Sequence, residues 1–351
     1  MTEIGVVVIG RNEGKRLAQC LASIHPQSSS PVSGGASDVA PGHSDAIPLD
    51  AAPIAARVVY VDSGSTDDSV DIAVSHGVSV VRLGAERPFT AARGRMAGVQ
   101  WLREQHPHIE FVQFIDGDCV LEPGWLEAGF EYMRAVPDAG VVCGRLKELR
   151  PEKSVFNRLC DMEWDVPSGE VRACGGIAMM RMAVLVRTGG FRSDLIAGEE
   201  PELCVRIRAA GWRIIRLSGL MAHHDANMTH LGQWSKRAMR GGFAAAQGMA
   251  LHGSAPERHG VAQTRSALLW GIGLPLFSVV AMSLVGPIAG ALFLLYPMQI
   301  LRIALADSRG FSSGLLRGTF LVYAKFLEAI GACRFFVDRI RGDSTRIIEY
   351  K

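Results

Sequence analysis

Ile4-Gly5-Val6-Val7-Val8-Ile9 is an almost unbroken apolar run. A strand of this kind offers no face to water, so it belongs inside a parallel sheet with layers on both sides. The run stops at the polar loop Gly10-Arg11-Asn12-Glu13-Gly14, and Arg16 to Ile24 continues with helical spacing. The unit then recurs. Arg57-Val58-Val59-Tyr60-Val61 predicts a second strand, Val78 to Val81 a third, and Phe111-Val112-Gln113-Phe114-Ile115 a fourth, with helical stretches between them. Strand alternating with helix predicts an α/β fold with a Rossmann-like start and ligands at the carboxyl ends of its strands.

Those ends are polar. The second strand runs into Asp62-Ser63-Gly64-Ser65-Thr66-Asp67-Asp68, where Ser65 or Thr66 is expected to cap a helix that has Asp67 and Asp68 in its first turn. Phe89 to Gly98 sets Arg93 and Arg95 among small residues, ahead of a helix to about Glu104. The fourth strand ends in Asp116-Gly117-Asp118. Two carboxylates that close repel unless a cation sits between them, and hard oxygen ligands suit Mg²⁺ or Mn²⁺ together with substrate phosphates.

Further on, Trp125 to Arg134 predicts a helix, Gly140 to Leu149 a strand, and Cys174-Gly175-Gly176-Ile177-Ala178-Met179-Met180 another strand. In Gly198-Glu199-Glu200-Pro201-Glu202 the proline suits the first helical position, which makes Glu200 the N-cap and puts Glu199 just before it. Glu202 and Arg206 are spaced to pair along that helix, Gly211 ends it, and a strand follows from Arg213 to Leu217. His223-His224-Asp225 closes the region. Residues 27–56, rich in Ser, Pro, Gly and Ala without an apolar period, read as a flexible insertion.

With 37 basic against 35 acidic residues no global field points to nucleic acid. The apolar surplus gathers late in the chain. Ala267 to Val285 carries no charge over 19 residues, and Pro287 to Ile300 continues the pattern. Two membrane helices joined by a tight turn at Gly286-Pro287 fit that length, a buried soluble hairpin being the alternative. Gly314 to Val337, interrupted by Arg317, Lys325 and Glu328, reads as an interfacial amphipathic helix or a third span. The seven scattered cysteines lack zinc spacing and are expected to be reduced. No signal peptide is expected. Arginines beside the apolar segments predict both ends in the cytoplasm.

The ordered set Gly10-Arg11-Asn12-Glu13, Asp62 to Asp68, Ala91-Ala92-Arg93, Asp116-Gly117-Asp118, Gly189-Gly190-Phe191 and Gly198 to Arg206 resembles family 2 glycosyltransferases of the GT-A fold over roughly residues 4 to 225. The resemblance implies a mixed sheet with helices on both faces, followed by C-terminal transmembrane or amphipathic helices. It divides the chain into a catalytic domain at 1–230, a basic juxtamembrane helix and linker at 231–265, and membrane-associated helices with a basic tail at 266–351. It implies that Gly10, Arg11, Glu13, Asp62, Arg93, Asp116 and Arg237 serve the nucleotide sugar. Asp118, with Asp116 and His224, would hold Mg²⁺ or Mn²⁺. The acid pair at the acceptor-side helix, Glu199-Glu200 here, would supply the catalytic base, with Glu200 in the place the family gives to aspartate. His223 is the lesser neighbour of the metal. Gln233-Trp234-Ser235-Lys236-Arg237 departs from the Gln-x-x-Arg-Trp of polymerising synthases.

The implied activity is inverting, metal-dependent transfer from a nucleotide-diphosphate sugar to a lipid-linked or membrane-proximal glycan acceptor, in cell-envelope or exopolysaccharide synthesis. The domain would face the cytoplasm on the membrane, with no nucleic-acid partner. Trp164 and Asp165 are expected on the acceptor side. Two alternatives remain: a membrane-tethered nucleotide-sugar-binding subunit without turnover, and a nucleotidyltransferase, for which the loop after the first strand is short and acidic.

Overall fold

The computed structural model describes residues 3–24 and 55–342. The 27–56 insertion lies outside them except for Ala55 and Ala56, and so does the basic tail with Arg346. The chain divides into two compact units. One holds the described residues up to Leu195 with Glu199–Asn227, and the other holds Ile196–Gly198 with the described residues from Met228 onward.

The first unit carries strands β1 (Glu3–Gly10), β2 (Ala55–Asp62), β3 (Ser79–Arg82), β4 (Phe111–Asp116), β5 (Cys119–Leu121), β6 (Ala139–Glu148), β7 (Gly169–Glu170), β8 (Ala178–Arg181) and β9 (Arg213–His224). Its helices are α1 (Lys15–Ile24), α2 (Ser69–Ser75), α3 (Ala91–Gln105), α4 (Trp125–Ala135), α5 (Val155–Trp164), α6 (Met182–Thr188) and α7 (Glu199–Ala209). Among the described residues the sheet runs β3-β2-β1-β4-β8-β6-β9-β5, with β7 on β9. The first four strands are parallel, β8 is antiparallel to both β4 and β6, and β6 is parallel to β9. The sheet is therefore mixed. Ala55 and Ala56, assigned to the insertion from sequence, open β2 instead because they pair with Glu3 and Ile4.

Register sets where the polar groups fall. Gly10 stands opposite Asp62, and Ile9 opposite Asp116, so β1, β2 and β4 end at one level. Behind that edge Val6, Val7 and Val8 are fully buried with Leu17 and Leu21 of α1 and Leu102 of α3. Buried Gln113 is satisfied within the core: Trp125 Nε1 donates to its Oε1 at 3.0 Å, and its own amide donates to the Phe114 carbonyl at 2.7 Å.

Two predicted elements differ, and one strand was not foreseen. The strand expected from Cys174 begins only at Ala178, because Gly175 takes a φ of +87° that no strand continues through. The three residues of β5 form a strand too short for a sequence period to reveal. The strand expected to stop at Leu217 runs on to His224, and Ser218-Gly219 falls where register shifts mark a bulge between β6 and β9.

The second unit is helical: α8 (Leu231–His252), α9 (Val261–Leu268), α10 (Leu274–Val285), α11 (Leu295–Ala306) and α12 (Phe311–Arg341). A π-helical turn joins α9 to α10, and a 3₁₀ stretch, Pro287–Leu294, leads into α11. Among the described residues, Val261–Val285 and Pro287–Ala306 are long and apolar enough to cross a membrane, and only 6% of each one's most apolar stretch is buried. A soluble core hairpin would bury far more. The 31-residue α12 contains the stretch that sequence left between interfacial helix and third span, and it packs on α8. A Cβ on Gly242 would sit 2.1 Å from the Glu328 carbonyl, and one on Gly331 2.0 Å from that of Met239. Trp234 stacks on Tyr323 and Phe243 meets Phe335 edge-on. Lys325 is neutralised by Glu328 at 2.7 Å.

Back in the first unit, α3 approaches β1 so closely that a Cβ on Gly98 would lie 2.4 Å from Val7 Cγ1. Gly98→Ala is expected to lower stability by about 1–3 kcal/mol through overpacking, as measured by thermal or urea unfolding.

Candidate active site

The loops beyond β1 and β2 are tied together before any ligand is considered. Asn12, at a φ of +56°, accepts the Thr66 N–H on its side-chain oxygen at 2.7 Å, and its own N–H donates to Ser65 Oγ at 2.9 Å. Ser69 Oγ accepts from the N–H groups of Glu13 and Gly14 at 2.9 and 3.0 Å. Ser65 and Thr66 are thus spent on the neighbouring loop, and neither caps a helix. α2 starts later, at Ser69, whose N–H goes to Asp67 Oδ1 at 3.0 Å. Buried Asp62 closes an Asx-type turn, accepting from Gly64 N and Ser65 N, both at 3.1 Å to Oδ2, and from the Tyr60 hydroxyl at 3.3 Å. Burial, aided by the Asp62 charge, pushes the Tyr60 phenol up, so it stays the donor.

Arg93 is half-buried against the loop that precedes α3. Its guanidinium pairs with Glu86 at 2.7 Å, donates to the Arg87 carbonyl at 2.8 Å, and with Arg11 lies over the Phe89 ring. It also lines a surface groove of about 660 Å³ together with Arg87 and Arg103. Glu13 pairs with Arg16 at 2.6 Å. Gly10 ends β1 and gives its carbonyl to Ser63 N. Arg237 lies on α8 in the second unit.

Arg95, two residues on, lies on the buried face of α3. Only 3% exposed, it donates from Nη2 to Asp116 Oδ1 at 2.9 Å and from Nη1 to Glu199 Oε1 at 2.8 Å. Burial opposes its charge, but the two acids more than compensate and hold it protonated. It also packs over the Phe191 ring, with 5.4 Å to the centroid. A Cβ on Gly176 would lie 2.7 Å from Arg95 Nη2 and 3.4 Å from Asp116 Oδ2, so the approach requires glycine. Asp116 is thereby neutralised by protein.

Asp118 stands apart from this ion pair. Buried just ahead of β5, it has its Oδ1 3.6 Å from His224 Nε2, and Cys119 Sγ donates to the same oxygen at 3.5 Å. The pairing of Cys119 with His224 across β5 and β9 produces this contact. Ligand atoms of Asp118, Cys119 and His224 lie within 4.8 Å of one another, whereas Asp116 is not in that group. His224 Nδ1 is buried without a hydrogen-bond partner, 4.0 Å from Glu148 Oε2. An oxygen and a nitrogen donor side by side fit a divalent cation. Trp164 packs edge-on against the His224 ring at 4.8 Å, and His223 turns to Glu122 at 3.7 Å.

The helix α7 begins at Glu199, so both acids occupy its first turn and Pro201 is third, where its missing N–H still costs no helical bond. This corrects the expected cap at Glu200. Glu202 pairs with Arg206 at 2.6 Å as its spacing requires. Glu199 is committed to Arg95, while Glu200 is sunk in a pocket of thiols. Its Oε1 accepts from Cys174 N at 2.7 Å, Cys174 Sγ at 3.1 Å and Cys204 Sγ at 2.9 Å. Arg95, Gly176 and Cys204 were not among the residues assigned from sequence. Arg95 carried a signal: it lies in the stripe Ala92, Arg95, Val99 and Leu102, spaced for the buried face of α3.

This mixed sheet, with acids at the ends of its strands, has the GT-A fold. Residues 5–168, a little under half of the chain, match the model of glycosyl transferase family 2. The mannosyltransferase PcManGT from Pyrobaculum calidifontis, solved with GDP-Man and Mn²⁺, has a similar structure at 18% identity and a TM-score of 0.56, covering 96% of this chain and 87% of its own. TarS 1-349 of S. aureus is similar at 15% identity and a TM-score of 0.46, covering 99% of this chain and 93% of its own. A search among curated proteins found no match.

Arg95→Met would leave two acids facing each other without their cation. It is expected to lower stability by about 2–4 kcal/mol in urea unfolding, below the full cost of a buried pair because Asp116 is partly exposed.

Proposed function

We propose that this chain is an inverting, divalent-metal-dependent glycosyltransferase that moves a sugar from a nucleotide-diphosphate donor to a lipid-linked or membrane-proximal acceptor, as cell-envelope or exopolysaccharide assembly requires. The observation that carries the reading is the separation of two acid groups in one unit: Asp116 and Glu199 on Arg95, and Asp118 beside His224. The donor and ion named for PcManGT agree with it.

Asp62, Asp116 and the Gly10 to Glu13 loop stand at the strand ends where such folds take nucleotides. Asp118 and His224 would hold Mg²⁺ or Mn²⁺, which when bound offsets the charge of the diphosphate and of the leaving group. Arg95 keeps Asp116 and Glu199 fixed as the donor enters. Glu200 is the base. With all three donors on Oε1, its other oxygen Oε2 is left to take the proton of the acceptor hydroxyl. Attack opposite the departing diphosphate in one displacement inverts the anomeric carbon, so no second carboxylate is needed.

The second unit supplies the membrane context. From Ser266 to Leu301 the chain has no charged residue, and Arg265 and Arg302 flank that stretch. The arginine bias supports a hairpin whose two ends lie in the cytoplasm. The expressed chain is expected in the membrane fraction after a high-salt wash; release by salt alone would remove the hairpin from the bilayer.

Asp118→Asn and Glu200→Gln should each reduce sugar transfer by at least about 10²-fold with the fold intact by circular dichroism, transfer being assayed with a panel of nucleotide-diphosphate sugars and Mn²⁺. Wild-type rates in both variants would overturn the reading.

A further inference from the structure

Around Glu200 there is a second set of metal-ligating atoms, separate from the Asp118 and His224 pair. Cys174 Sγ and Cys204 Sγ are 3.6 Å apart, and Glu200 Oε1 lies 3.1 and 2.9 Å from them. All three residues are buried, with Glu200 keeping a residual 8% exposure. In a tetrahedral zinc site, bonds of about 2.3 Å to sulfur and about 2.0 Å to oxygen imply ligand separations of roughly 3.8 Å between sulfurs and roughly 3.5 Å from sulfur to oxygen. The sulfurs already stand close to that spacing, and the carboxylate needs to withdraw by only about 0.5 Å, within the freedom of a glutamate side chain.

The donor set also decides which ion. Two thiols and one carboxylate oxygen favour a soft or borderline cation, whereas the carboxylate and imidazole of Asp118 and His224 suit a harder one. The Cys174 thiol is held well above its ordinary pKa by its hydrogen bond to Cys204 and by burial. A cation entering the pocket displaces thiol protons.

We propose that Cys174, Cys204 and Glu200 form a site for a thiophilic divalent cation of the Zn²⁺ or Cd²⁺ type, and that its occupation withdraws Glu200 from catalysis. The second half rests on Glu200 being the base; the first does not. Binding at Oε1 places a divalent charge on the carboxylate and lowers the basicity of Oε2, the oxygen left for the acceptor proton. Inhibition then coexists with a filled Mg²⁺ or Mn²⁺ site.

The test is a titration of the reduced, chelator-treated full chain with Cd²⁺ alone, read by the thiolate-to-cadmium charge-transfer absorbance and by proton release. A saturable band is expected, with affinity lowered at least about tenfold in Cys174→Ser and in Cys204→Ser, since even outer-sphere partners of a metal cost that much. Cys204→Ala provides a second variant should the serine disturb packing. The band should persist in Asp118→Asn and in Cys333→Ser. No band in wild type, or a band unchanged in the Cys174 and Cys204 variants, overturns the site. In Mn²⁺-supported transfer, Cd²⁺ should inhibit wild type and lose potency in Cys204→Ser, each rate taken relative to the same protein without Cd²⁺. A cysteine-dependent band without inhibition would keep the cation site and overturn the withdrawal of Glu200.

Discussion

A guanidinium placed 3% exposed between a sheet and a helix is tolerable only if anions meet it. Arg95 meets two, and they come from different elements, β4 and α7. That requirement links folding to the site. The helix α3 cannot seat its buried stripe on the sheet without delivering Arg95, and Arg95 cannot be buried without collecting Asp116 and Glu199. The close seat of Gly98 against Val7 and the bare backbone of Gly176 beside the guanidinium are two parts of the same fit. The cluster is thus assembled by the core, before any donor arrives, and its geometry is as rigid as the packing beneath it.

The consequence for the Asp-Gly-Asp motif is a division of labour that charge alone does not foresee. Two acids two residues apart appear to demand a shared cation, yet the protein supplies a permanent one to Asp116. Asp118 lies in a separate cluster, beside an imidazole that comes from the far end of β9. That strand reaches His224 by crossing an irregularity near Ser218-Gly219, which shifts register against β6 and still brings His224 opposite Cys119. A strand that ended at Leu217 would leave Asp118 without its imidazole.

The parallel start of the sheet was legible because Val6, Val7 and Val8 and their counterparts in β2 and β4 have no polar face to expose, and one register then brings the strand ends level. The long apolar helices were legible for a similar reason: absence of charge over such a length leaves few alternatives. What escaped were features fixed by contacts between distant segments. Arg93 and Arg95 look alike in sequence, and only the helical phase of α3 distinguishes the buried one. Ser65 and Thr66 have ordinary cap chemistry, yet Asn12, more than fifty residues away, takes them first. The start of α7 was misjudged by one rule applied too strictly, since proline fits any position of a first turn, where no intrahelical N–H bond is lost.

A glutamate at 200 where the family pattern has aspartate adds one methylene of reach, and the thiol pocket gives that reach a use. The extra length carries Oε1 to the amide of Cys174 and to the sulfurs of Cys174 and Cys204, three neutral donors that fix the carboxylate without a charged partner. Glu199, by contrast, is held by a full positive charge on Arg95. Two adjacent acids in one helical turn are thereby held differently, one by a direct guanidinium pair and one by neutral donors. Differences of that kind are how neighbouring carboxylates come to do different work. The cysteines at 174 and 204 and the glutamate at 200 form one device: a shorter acid would fall short of the sulfurs, and without the sulfurs the longer acid would lack the contacts that hold it in place.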